Sequence, residues 1–226
     1  YGVTRLLGGF IFCLGLILVV VGGAELFTGN ALMIIALMDR KITLGSMLRN
    51  WSIVYLGNFL GALLLVGLVF LSGEYRFDGG SVGLTMLNMA LMKLDYGFGQ
   101  ALVLGILCNI LVCLAVWLTY SARSTTDRII AVLFPITAFV AAGFEHSIAN
   151  MYALPMALFI KFFDPAFAAN SALNLSPITW SNIFINNLFP VTLGNIIGGA
   201  LFVGVVYGLV YLPKKVENHS EVVRSK

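Results

Sequence analysis

The stretch GFEHSIAN, residues 143–150, decides the fold. It lies in an oily run, 129–160, in which Glu145 is the only charged residue, with His146 beside it. A membrane-crossing helix needs ~20 apolar residues. The run is about half as long again, yet too short for two spans and a polar loop, and its polar residues stand at its centre. Ionisable side chains are expensive in hydrocarbon and mark functional positions there. The simplest solution is a crossing helix broken at mid-depth into two half-helices, because non-helical backbone at that depth must be buried in protein or line a cavity.

A second break matches the first. GAELFTGN, residues 23–30, sits in the run 6–38, where Glu25 is the only charge. The two stretches share the frame G-x-E-x4-N. A further pair, NWSIVYLGNFLG at 50–61 and NLFPVTLGNIIG at 187–198, shares N-x5-L-G-N-x2-G. Matched Glu and Asn are rare by chance in oily sequence, so the chain reads as a duplication, a first half at 1–72 and a second at 101–212. In the second half a plain span (101–120) precedes the broken one. Its first-half counterpart falls before Tyr1, so the repeat predicts six spans in the full protein, with the first absent from this chain. An odd number of spans per half inverts the repeats. The runs 52–72 and 101–120 have the length of ordinary spans. The last run, 183–212, opens on turn-like residues and Pro190 and reads as a surface segment followed by a span. Residues 1–212 form one transmembrane domain, and 213–226 a polar tail. Gly57/Gly61 and Gly194/Gly198 are small-xxx-small pairs, expected to let helices approach the broken elements closely.

Composition agrees. Mean hydropathy is +0.98, 60% of residues are hydrophobic and 10% charged, against roughly 25% charged in soluble domains. The +3 net charge comes from loops and tail, and no basic patch interleaves with aromatics, so nucleic acid is not an expected partner. Arg40, Lys41, Arg49, Arg123, Arg128, Lys214, Lys215, Arg224 and Lys226 fall on one side, and Arg5, Arg76, Lys93 and Lys161 on the other. The first side is therefore cytoplasmic, and the C-terminus with it. Cys13, Cys108 and Cys113 read as small buried hydrophobes. No H-E-x-x-H or G-x-S-x-G occurs, the only other histidine is His219, and a serine adjacent to its histidine is poorly placed as a nucleophile. Neither an enzyme, a metal site nor a cofactor is expected. A neutral-solute pore of aquaporin type is an alternative, though the paired N-P-A motif is absent.

The residues suit a small anion. Half-helix N-termini carry partial positive charge, and His146 adds a donor and a titratable ring. Two routes are open: a weak acid sharing its proton with His146, or a hydrated anion. Glu25 and Glu145 recur in both halves and are read as structural, accepting from backbone donors freed at the breaks. His146 occurs in one half only, opposite Leu26, and is the residue expected to handle the permeant. Thr28 either caps the following half-helix or offers its hydroxyl to the anion. Asn58 and Asn195 brace the breaks.

GAELFTGN, GFEHSIANM (143–151) and PVTLGNIIGG (190–199), together with NWSIVYLGNFLGALL, LSGEY and ILVCLAVWLTYSARS, resemble the formate/nitrite transporter family, and within it the formate channels. The resemblance implies an all-α integral membrane protein of the bacterial inner membrane with an aquaporin-like inverted-repeat fold and two broken helices. It implies a homopentamer with one pore per protomer, passing formate or another small monovalent anion, nitrite and hydrosulfide being the alternatives. It implies an outer constriction at Phe12 and Phe139 and a cytoplasmic one at Leu16, Leu26 and Phe27. It also implies a pore threonine at Thr28, the central His146, and Lys93, Asn109 and Asn150 shaping the field; Lys93 reads either as an ordinary loop lysine or as an attractive charge at the outer mouth.

Overall fold

The computed structural model describes residues 2–213, so most of the expected tail, from Lys214 on, lies outside the described residues. Apart from two short 3-10 turns at Glu74–Arg76 and Asp78–Gly80, these residues form nine helices and no strand: α1 (Gly2–Gly22), α2 (Gly29–Met38), α3 (Leu44–Ser72), α4 (Ser81–Leu94), α5 (Phe98–Thr119), α6 (Thr125–Ala142), α7 (Ser147–Phe163), α8 (Pro165–Asn170) and α9 (Trp180–Tyr211). Five of them, α1, α3, α5, α6 and α9, are long and apolar enough to cross a membrane. Leu64, Leu68 and Leu71 on α3 and Leu209 and Val210 on α9 are exposed, as lipid-facing side chains of an integral membrane protein are.

Local chemistry sets the ends. Thr43 and Ser46 form a capping box at the start of α3, and Ser124 and Asp127 one at the start of α6. Gly143, at φ +76°, stops α6 in the left-handed region that side chains avoid. Gly23, at φ +74°, does the same after α1. The breaks thus fall where expected, but they divide the two runs differently. α6 and α7 have 18 and 17 residues, nearly equal pieces. α1 has 21, whereas α2 is a 3-10 turn of 4 residues followed by 6 α-helical ones.

The run 183–212 corrects the expectation of a surface segment. α9 is continuous over 32 residues and contains Pro190. A proline in a helix lacks an N–H and clashes with the carbonyl four residues back. Here a wide π-type stretch, Ile183–Leu188, immediately precedes it and relieves that clash.

α1 runs antiparallel to α6, with Arg5, Gly9 and Cys13 facing Ala141, Thr137 and Leu133. Small residues allow this approach: a Cβ on Gly9 would sit 2.8 Å from the Thr137 carbonyl oxygen. α5 packs on α9 through Gly105, Gly194 and Gly198. The glycine expectation needs two corrections. Gly194 and Gly198 seat against α5, a plain span, and not a broken element. Gly57 and Gly61 have nothing within 4 Å among the described residues. All three cysteines are buried and unpaired.

At the far end of α7, Asp164 caps α8 through the Phe167 N–H and accepts from Arg76 and from the Tyr75 hydroxyl. The Arg76 hydrogen bond, first among these contacts, holds its carboxyl below the usual carboxylate range. A depressed folded-state pKa contributes stability above the unfolded value of ~3.9 that is lost as pH falls through the folded one. Asp164→Asn is therefore expected to lower the thermal midpoint at neutral pH. That deficit should close below about pH 4; a pH-independent deficit would mean that the cap, not the charge, matters.

Candidate functional site

The two breaks are built alike, atom for atom. In the first, the Asn58 amide oxygen accepts from the Phe27 N–H at 3.0 Å and its amide nitrogen donates to the Glu25 carbonyl at 3.0 Å. In the second, the Asn195 oxygen accepts from the Ser147 N–H at 2.9 Å and its nitrogen donates to the Glu145 carbonyl at 3.0 Å. Asn30 donates to the Glu25 carboxylate at 2.5 Å and to Asn50 at 2.8 Å. Asn150 donates to the Glu145 carboxylate at 2.6 Å and to Asn187 at 2.7 Å. Each pair occupies matching positions of the repeat. Tyr55 and Thr192, also matched, hydrogen-bond to each other at 2.9 Å.

The glutamates correct the expectation of backbone donors. Their carboxylates take side-chain amides, while the freed backbone N–H groups of Phe27 and Ser147 go to Asn58 and Asn195. A neutral amide suits this task, since it can accept from one side of the break and donate to the other, which an ionised carboxylate cannot.

The halves differ in one charge. Lys93, at the end of α4, forms an ion pair with Glu145 at 2.6 Å, with side-chain exposures of 14% and 2%. This buried placement departs from an attractive charge standing free at a mouth. Asn187 completes the cluster, donating to the Lys93 carbonyl and lying 3.4 Å from the Glu145 carboxylate. Glu25 is exposed and makes no ion pair among the described residues. Asn187 and Asn50 stand first in the shared N-x5-L-G-N frame, which is the signal that marks them, although no site role was expected of either.

His146 and Thr28 come from opposite breaks and from non-equivalent positions of the repeat. They meet at 2.9 Å, ring Nε2 to hydroxyl. His146 caps α7: its Nδ1 accepts from the Ala149 N–H at 3.1 Å. An Nδ1 that accepts leaves the proton of a neutral ring on Nε2, so the ring donates to Thr28. The Thr28 hydroxyl makes no cap hydrogen bond to α2. Asn109 supports the pair from α5, donating to the Thr28 carbonyl at 3.1 Å and the Asn195 carbonyl at 2.6 Å. The side-chain oxygens of Asn109 and Asn150 are buried without a partner among the described residues.

Three cavities meet around this point. The first, about 470 Å³, is lined by Arg5, Phe12, Lys93, Phe139, His146 and Asn150 among others. The second, about 180 Å³, shares Phe12, Phe139, His146 and Ala149 with it and adds Leu16, Val19 and Leu26. The third, about 480 Å³, shares Val19 and Leu26 with the second and adds Glu25, Asn30 and Arg128. Phe12 and Phe139 meet edge-to-face at 5.7 Å, and His146 stacks on Phe139 at 6.0 Å, where the first two cavities adjoin. Leu16 and Leu26 line the apolar middle. Phe27 lines none of the three: its buried ring packs edge-on against Tyr55 and Trp51 on α3, because its N–H is held by Asn58, on the same helix. Thr28 and Asn109 also stand behind the cavity walls, fully buried.

An all-helical membrane protein whose polar residues converge on two helix breaks, with cavities in series between them, is by class a transporter or channel and not an enzyme. Sequence comparison makes that specific. The formate/nitrite transporter family matches residues 1–209, and the chain belongs to that family. It is 49% identical to the formate channel FocA of Escherichia coli strain K12 over 216 residues, 94% of this chain and 76% of that protein. It is 43% identical to FocA of Haemophilus influenzae, over 91% of this chain and 74% of that one. Its fold matches a solved pentameric formate channel with formate bound at TM-score 0.87 and 48% identity, over 94% of this chain and 85% of that one.

Proposed function

We propose that the chain is a formate channel with one pore in each protomer. The observation that carries this reading is the position of His146, at the junction of two cavities and bound to Thr28 of the opposite break. The formate named for the FocA relatives and for the formate-bound structure supports the same substrate. Residues 1–212 act as one domain, an aquaporin-like inverted repeat; the matched Asn58 and Asn195 clamps support the duplication. We assign the Arg128-side cavity and the C-terminus to the cytoplasm of a bacterial inner membrane on the distribution of basic loops, and a homopentamer on the solved relative.

Phe12 and Phe139 form one constriction and Leu16 and Leu26 the other. Between them a carboxylate loses most of its water, a severe cost in an apolar passage. The neutral His146 ring offsets part of it by giving its Nε2–H, now donated to Thr28, to the entering oxygen. With Nδ1 tied to Ala149, the ring supplies a hydrogen bond and not a proton. Any proton that crosses with formate then comes from the acid itself. Asn109 holds Thr28, and Lys93 cancels the Glu145 charge that would repel the anion.

Flux into liposomes tests this. Formate should enter faster than through protein-free bilayers, with nitrite, hydrosulfide and water as comparisons. His146→Ala should slow formate about tenfold or more, the cost of losing one charge-assisted hydrogen bond. His146→Asn, which keeps an N–H donor, should lie between. Formate flux no greater than that of empty liposomes would end the proposal, and an unaffected His146→Ala would remove the histidine from it.

A further inference from the structure

We propose that Met89 and Met92 make the Lys93-side mouth of the pore sensitive to oxidants: converted to sulfoxides by a peroxide, they hinder anion entry. The inference rests on the channel reading above. The chain has eight methionines, all of them among the described residues. Only Met89 and Met92 are exposed, at 42% and 45%. Both line the 470 Å³ cavity that His146 also lines, as do Met86 and Met156. The other two cavities of the series have no methionine in their walls. Thioethers are thus gathered at one mouth, and the two that a water-borne reagent reaches first stand there. The competing thiols of Cys13, Cys108 and Cys113 are all buried.

The position on α4 makes the change matter. α4 is not one of the five crossing helices. It ends at Leu94, and the exposed Asp95 follows, so Met92 lies within about one turn of a polar loop. Met89 stands three residues before Met92 and four before Lys93, spacings that bring side chains together on a helix. Lys93 and its ion-pair partner Glu145 line the same cavity. In the reaction a thioether sulfur gives its lone pair to one oxygen of a peroxide. An S–O bond forms as the O–O bond breaks, and the second oxygen leaves with both hydrogens as water. The sulfur is oxidised by two electrons and the peroxide reduced by two. The product replaces a flexible apolar side chain with a polar one, and sulfoxide reductases reverse it. Its oxygen is the negative end of the S–O dipole, and it adds unfavourable potential to the route that an anion takes to His146.

Formate flux into liposomes, measured against concentration before and after treatment with hydrogen peroxide, tests the assignment. Peptide mass spectrometry should find sulfoxide first at Met89 and Met92. The half-saturating formate concentration should then rise about fivefold, the effect of a partial charge a few ångströms from the anion. Met89→Leu/Met92→Leu, which conserves side-chain volume, should match untreated wild type and ignore peroxide. Three results each overturn the inference: sulfoxide forming elsewhere ahead of these two, flux unchanged or faster once both are oxidised, or an equal loss in the leucine variant. Each leaves the channel reading intact. Untreated wild-type protein that passes no formate defeats both readings.

Discussion

Lys93→Met is expected to be the single change most damaging to the stability of the fold. It removes the cation from Glu145, whose side chain is 2% exposed. Breaking a buried pair by deleting one partner costs about 3–5 kcal/mol, because an uncompensated charge stays behind. Glu145 cannot relax into water: its backbone N–H is tied to the Leu104 carbonyl, and its carboxylate to Asn150. The double variant Lys93→Met/Glu145→Gln removes both charges and keeps an acceptor for Asn150, so it should recover most of the loss. Thermal unfolding in one detergent would show three levels: wild type, the double variant slightly below, and Lys93→Met far below. If the single and double variants coincided, the damage would come from lost packing around α4 and not from the stranded carboxylate.

The second large effect concerns Gly198. A Cβ there collides with the backbone carbonyl of Ile106, which cannot move without shifting α5. Overpacking of this kind costs about 1–3 kcal/mol, and a backbone obstacle puts Gly198→Ala at the upper end. Gly61 occupies the matching place in the other half, with open space beside it. In this chain Gly61→Ala should be neutral or slightly stabilising, since Ala is favoured over Gly in a helix by about 1 kcal/mol. Matched thermal midpoints for the two variants would refute this asymmetry.

These contrasts indicate where sequence reasoning reached and where it stopped. The breaks were legible because hydrocarbon makes Glu25, Glu145 and His146 conspicuous, and the duplication because Asn and Glu recur in frame. Recurrence pointed to Asn58 and Asn195 as braces, but the atoms they hold, and the amide partners of Glu25 and Glu145, were not legible. Which group satisfies a freed N–H depends on which helix passes the break, and the spacing within N-x5-L-G-N says nothing of its distance from residue 25 or 145. Lys93 read as a mouth residue because its neighbours in sequence are loop-like, whereas α4 carries it inward to Glu145. Phe27 read as a constriction residue by resemblance, yet Asn58 turns it toward Tyr55. Pro190 suggested a turn because a π-type stretch ahead of it leaves no mark in hydrophobicity.

The Tyr55–Thr192 hydrogen bond carries a historical implication. Under the proposed inverted repeat, two matched residues in direct contact would lie on the axis that exchanges the halves. In a half-length ancestor assembling as a face-to-face pair, a residue at that place would have met its own copy. Such a position admits only side chains that can bind themselves. A hydroxyl qualifies, because it both donates and accepts, whereas an ammonium or a carboxylate would repel its twin. If the halves arose by fusion of such a pair, that constraint would have lifted at every other position, as at His146 opposite Leu26, and on the axis it would survive as two different residues that offer each other the same group.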